Sequence, residues 1–132
     1  MIEEKVIKRG YIYYVNIPED KNDPHKQTGC RPCIITSNDS NNIFSGRVHY
    51  IPLTTQLKKT NLPVHVVLKN TRLQKLSMAL CESLDAIDKS CVLEKVGTVS
   101  SSDMFNIDLA LMIQQGINIK IISNFKQYAY AI

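Results

Sequence analysis

The chain lacks much of what several protein classes require. Only four of its 132 residues are cysteine, too few for a secreted module held together by dense disulfides. No apolar signal segment precedes Lys8, and no run approaches the roughly 18 apolar residues that a membrane-spanning helix needs. The expectation is a cytoplasmic protein with reduced thiols and no membrane association. Metal-ligand clustering is sparse too. Cys30 and Cys33 stand in C-x-x-C spacing, but Cys81 and Cys91 are ten apart and the three histidines are scattered, so the second close pair of a structural zinc site is missing. A thioredoxin-type pair would open a helix, whose dipole lowers the thiol pKa, whereas Cys33 begins a β-branched run. No metal and no cofactor is expected. Internal repeats and low-complexity tracts are absent as well.

Acidic charge is scarce at one end. Residues 1–75 carry 12 lysines and arginines against 6 acids, and residues 76–132 carry 4 against 6. A basic half beside a mildly acidic one gives a directed field that draws a polyanion to one face. The same charge also serves plain solubility. At this length the chain can build one domain with a real core but not two.

The apolar pattern is strand-rich with one clear helix. Tyr11–Ile17 alternates aromatic and β-branched residues and reads as a strand. Residues 18–29 are polar, punctuated by Pro24 and Gly29, and form a long loop carrying His25, Lys26 and Gln27. Strands are expected at 33–36, 48–53, 64–68 and 78–84, with an Asn- and Ser-rich turn through Gly46 and a basic loop, 55–61, holding Lys58 and Lys59. Residues 85–90 resemble a single helical turn, and 91–99 hold a final strand or an extended approach to the helix. Ser100-Ser101-Ser102-Asp103 is a helix-capping pattern. From there Met104, Ile107 and Leu111 mark an apolar stripe, widened by Phe105, Leu109 and Met112, and Gly116 supplies the stop. Residues 117–132 end the chain in alternating isoleucines and late aromatics, which suit an edge strand, a flexible tail or a segment packed on a neighbour.

The densest chemical signal is Gly29-Cys30-Arg31-Pro32, running into Cys33-Ile34-Ile35-Thr36. Gly29 permits close backbone approach, and Pro32 fixes its own φ while pushing Arg31 toward an extended conformation. A guanidinium held by so stiff a segment suits two-pronged recognition of phosphate or carboxylate. Ile51-Pro52-Leu53-Thr54-Thr55-Gln56 sets hydroxyls and an amide at the end of another apolar strand, and Leu62-Pro63-Val64-His65-Val66 opens a third. With Lys8-Arg9-Gly10-Tyr11-Ile12 before and Val96-Gly97-Thr98-Val99-Ser100 after, this ordered series resembles the MazF/PemK family of toxin endoribonucleases over roughly residues 7 to 116.

That resemblance implies a compact SH3-like β-barrel of the MazF/CcdB type with a C-terminal helix, residues 1–116 forming the toxin domain and 117–132 an extension packed on it or on the dimer. It implies a sequence-specific, metal-independent endoribonuclease that cleaves single-stranded RNA, mRNA in particular, by attack of the 2′-hydroxyl. The products would be a cyclic phosphate and a 5′-hydroxyl. The protein would act as a homodimer neutralised by a cognate antitoxin protein in a type II toxin–antitoxin pair. Arg31 and Thr54 fall on the family's catalytic positions; without the resemblance, each also suits a structural role, as an ion-paired arginine and a β-branched strand residue. Gln27 falls in the loop that lines the RNA groove and Glu82 near the same groove. His25, Thr55, Gln56 and Lys58 complete the set of expected substrate-binding residues. Two positions depart from the family pattern: Lys26 stands where an acid often precedes the glutamine, and Ser83 where a glutamine commonly follows the glutamate. Both bear on which RNA is bound more than on whether it is cut. His25 could also move a proton near neutrality, although many surface-loop histidines do no chemistry; His49 and His65 read as structural. The alternative from another class is a binding module, either a CcdB-like gyrase poison or a nucleic-acid-binding homologue that does not cut.

Overall fold

The computed structural model describes residues 6–118. Seven strands form one antiparallel sheet: β1 (Tyr11–Ile17), β2 (Gly29–Ile35), β3 (Arg47–Thr54), β4 (His65–Val67), β5 (Met78–Leu80), β6 (Asp85–Asp88) and β7 (Val92–Thr98). The order is β4-β5-β3-β2-β1-β7, with β6 also on β3. β3 organises the molecule. One edge pairs with β2, and the other is divided between β6 at Arg47–Tyr50 and β5 at Leu53–Thr54. Among the described residues β4 and β7 do not pair with each other, so the expected barrel is an open, curled sheet. Register irregularities between β1 and β7 around Tyr13 help it bend.

Apolar residues fill both faces of the central strands. Tyr13, Val15 and Ile17 alternate with Ile12 along β1; the first three pack with Cys33, Ile35, Val48, Tyr50 and Ile87. Ile12 packs on the opposite face with Ile34, Ile51, Leu53 and Ala79, against the helix. The period-two pattern therefore separates two buried clusters rather than a core from solvent.

Three local expectations are corrected. The Asn- and Ser-rich turn contains a short helix, α1 (Asp39–Phe44), because the Asn38 side chain accepts from the Asn41 N–H and caps it. Buried Asn42 donates to the Ser37 carbonyl at 2.9 Å. Residues 85–88, expected as a helical turn, are strand β6, since pairing with β3 sends Ile87 into the first cluster. A 3-10 turn follows at Lys89–Cys91, and the strand expected over 78–84 stops at Leu80, giving way to another 3-10 turn at Cys81–Ser83.

The long helix α2 (Ser101–Gln115) starts and stops where its sequence dictates. Ser100 accepts from the Asp103 N–H at 3.2 Å, and Gly116 takes a left-handed φ of 69°. Ile107 and Ala110 are buried against the sheet. On the other side of the wide stripe Phe105 is 55% and Ile113 53% exposed. Arg9 ties the elements together: its guanidinium binds the Thr36 carbonyl and Asp108 of α2, and its backbone N–H donates to Asp39 at 2.8 Å. The expected edge strand or docked tail at 117–132 lies outside the described residues from position 119 onward.

Candidate active site

Arg31 sits at the start of β2. Gly29, two residues before it, takes a positive φ of 83°, and the register with β1 sets Val15 opposite Arg31 and Tyr14 opposite Pro32. The half-buried guanidinium donates through Nε to the Thr28 carbonyl at 2.8 Å. One of five N–H donors thus orients the group while the planar fork remains to receive an anion. Thr54 ends β3. The β2–β3 register pairs Cys33 with Pro52, and continuing it by two residues brings Arg31 beside Thr54. Both line one cavity of about 180 Å³, together with Pro32, Leu53, Thr55, Gln56 and Ser77. Thr54 Oγ1 accepts from the Gln56 N–H at 3.1 Å, which fixes the side chain and leaves its own hydrogen to donate.

His25, Gln27 and Glu82 line a second cavity of about 330 Å³, with Asp23, Lys26, Tyr50, Pro52, Ser83 and Asp85 among its other walls. Its chemistry differs from the first. Glu82 accepts from His65 Nε2 at 2.8 Å, and the other ring nitrogen of His65 lies 2.9 Å from the Lys59 carbonyl. His65 is therefore a structural residue, bracing a loop and orienting a carboxylate. Lys26 lies 3.6 Å from the Asp85 carboxylate. Carboxylates, an amide and a phenol suit base edges better than a phosphate. The expected set of residues thus divides: Arg31, Thr54, Thr55 and Gln56 meet in one cavity, and His25, Gln27 and Glu82 in the other. Lys58 is exposed on its loop and lines neither.

Tyr50 and Ser77 join these walls without having been expected. Tyr50 stands two residues before Pro52 on the same strand face, so strand alternation could have found it. Burial, then the charge of Asp85, raises the Tyr50 phenol to about 12; it stays protonated and can donate. Ser77 reaches the cavity only through the β3–β5 pairing of Thr54 with Met78, for which no local signal exists. Burial also pushes the Cys33 thiol up to about 12, against a smaller opposing pull from Arg31. Such a thiol is unsuited to redox or ligand chemistry. Among the described residues no three His, Cys, Asp or Glu side chains converge as a metal site would require.

Fold and site together define a class: a small antiparallel β protein with an anion-receptive cleft at its strand ends and a helix packed behind. The family model for the PemK-like, MazF-like toxin of type II toxin–antitoxin systems matches residues 8–114, and the chain belongs to that family. It is 33% identical over 115 residues to the endoribonuclease MazF of Staphylococcus epidermidis, an alignment covering 86% of this chain and 94% of that one. Among solved structures it is similar to MazF from Deinococcus radiodurans, with a TM-score of 0.75 at 21% identity over 86% of this chain and 100% of that one. It is also similar to a mycobacterial endoribonuclease solved with its cognate antitoxin, with a TM-score of 0.70 at 22% identity over 85% and 97% of the two chains. Among the described residues no helix is long and apolar enough to cross a membrane.

Proposed function

We propose that this chain is the toxin of a type II toxin–antitoxin pair, a sequence-specific, metal-independent endoribonuclease for single-stranded RNA. The observation that carries the reading is the shared cavity of Arg31 and Thr54, in a chain that belongs to this toxin family. A phosphodiester seated there meets a permanent cation and a hydroxyl donor. The 2′-oxygen attacks phosphorus, the new P–O bond forms as the P–O5′ bond breaks, and the 2′-proton leaves as the 5′-oxygen gains one. A cyclic phosphate and a 5′-hydroxyl result. Negative charge grows on the non-bridging oxygens through this sequence, and Arg31 stabilises it where it grows. Thr54 donates to one of those oxygens or orients the 2′-hydroxyl.

The second cavity supplies base selection. Gln27 and Glu82 present acceptors and donors to base edges, and His25 lies at its rim. RNA, mRNA included, is the substrate; a cognate antitoxin protein is the partner, as in the mycobacterial relative. The protein acts as a cytoplasmic homodimer, to which the exposed side of α2 with Phe105 and Ile113 offers apolar area. Residues 1–116 form the toxin domain and 117–132 an extension packed on it or on the dimer. The test is incubation of purified protein with a long single-stranded RNA in EDTA and reducing agent. Defined fragments ending in cyclic phosphate are expected. RNA left intact under all conditions, or cleavage abolished by EDTA alone, overturns the reading.

A further inference from the structure

The Arg31 cavity shares Pro32, Thr55 and Ser77 with a neighbouring one of about 380 Å³. Tyr14, Arg72 and Lys75 are among the further residues that line it and have no part in the site described so far. Tyr14 is half-buried and lies opposite Pro32 in the β1–β2 register, one residue from the position facing Arg31. Arg72 and Lys75 come from the loop between β4 and β5. Neither forms an ion pair among the described residues, whereas Arg9 and Lys26 do.

The loop carrying these two cations is held at both ends. The Leu68 N–H donates to the Ser77 carbonyl at 2.9 Å. The Lys69 N–H donates at 2.8 Å to Asp103, a carboxylate only 1% exposed. In the middle, the Leu73 N–H donates to Thr71 Oγ1 at 3.1 Å. The Arg72 backbone also runs so close to β7 that a Cβ added at Gly97 would lie 3.7 Å from its nitrogen. The backbone that carries Arg72 and Lys75 is thereby anchored, and both side chains line one cavity with Tyr14, next to that of Arg31.

We infer that this cavity is a nucleotide subsite, taking the residue next to the scissile phosphate. Tyr14 stacks on its base, and Arg72 and Lys75 hold its phosphate. The inference rests on the RNA-cleaving reading and adds a second arm to it: the substrate extends from the Arg31 cavity in two directions, toward the base-reading pocket of Gln27 and Glu82 and toward this basic one. Base–aromatic stacking tolerates any base, so this arm contributes affinity and registration more than sequence choice.

The test first maps where the wild-type protein cuts a long RNA, then uses oligonucleotides containing that site. In Arg72→Gln/Lys75→Gln, KM should rise about tenfold or more with little change in kcat. The log–log salt dependence of binding should flatten by about 0.7, the contribution of the one single-strand phosphate that the two cations hold. A non-cleavable oligonucleotide with 2′-deoxyribose at the cut and 2-aminopurine beside it should lose fluorescence on binding wild type. That quenching should be lost in Tyr14→Leu and recovered in Tyr14→Phe, which keeps the ring. A folded double variant with unchanged KM and salt slope overturns the subsite, as does quenching that persists in Tyr14→Leu. Absence of any cleavage by wild type would instead overturn the RNA-cleaving reading on which the subsite rests.

Discussion

Replacing Arg31 with alanine removes the only cation that the described residues place in the cavity it shares with Thr54. Removing one preorganised donor from a site that stabilises developing charge costs on the order of 3–4 kcal/mol, several hundredfold in rate. The cost to folding is far smaller. Arg31 is half-buried, and among the described residues its side chain makes one hydrogen bond, to the Thr28 carbonyl, a contact worth about 1 kcal/mol against the 5–15 kcal/mol of a typical domain. Arg31→Ala should therefore melt as a folded protein and scarcely cut. Arg31→Lys keeps a charge but loses both the Nε anchor and the two-pronged fork, so it should recover only part of the rate. Thr54→Val, which keeps the β-branched shape, should lose about 1.5–3 kcal/mol through the missing donor. Because both groups act on one phosphate, the double variant should lose less than the product of the single losses. Single-turnover cleavage of a fluorophore–quencher RNA in EDTA, beside a thermal melt, measures all of this. Near-wild-type cleavage by a folded Arg31→Ala protein would refute the assignment, and strict multiplicativity would separate the two residues into different steps.

Alkaline pH should destabilise the fold. Burial raises the Cys33 and Cys81 thiols from 9.0 to about 12; above pH 9 the unfolded chain loses these protons while the native state keeps them, so stability is full below about 9 and falls by up to about 1.4 kcal/mol per thiol per pH unit from there toward 12. Urea midpoints measured between pH 8 and 10.5 should decline, and less steeply in Cys33→Ala; an equal slope in that variant would contradict the assignment. Asp103→Ala should cost about 1–3 kcal/mol by leaving the Lys69 N–H without its acceptor, with Asp103→Asn intermediate, and a melt unchanged in both would dismiss the anchor. Deleting residues 118–132 should lower the melting temperature or weaken the dimer in light scattering while the remaining dimer still cuts RNA; a truncated dimer that no longer cuts would put the tail in the substrate groove.

What the chain discloses by itself is its local physics. The alternation from Tyr11 to Ile17 marks β1 because each side chain has its own apolar face to meet. Ser100 and Gly116 mark α2 because caps act on neighbouring backbone groups. Asp85–Asp88 misleads for the opposite reason. Its short polar-flanked run favours a turn locally, and only the distant pairing of Ile87 with Val48 makes it a strand. The Asn-rich segment before Gly46 misleads in reverse, since asparagines that suit a turn also cap a helix.

The candidate site divides along the same line. Arg31 announces itself through Gly29 and Pro32, but its meeting with Thr54 depends on register. The pairings of Ile34 with Ile51 and Cys33 with Pro52 set that register, and all four residues are buried. A slip of one residue between β2 and β3 would turn Ile51 and Leu53 away from the helix and carry Thr54 to the face opposite Arg31. Burial of these apolar side chains against both clusters opposes that slip. The positions of the two reactive groups are thus set by residues that touch no substrate. Tyr14, Arg72 and Lys75 follow the same rule: no spacing joins them in the sequence, and the β1–β2 register with the Asp103 anchor brings them to one cavity.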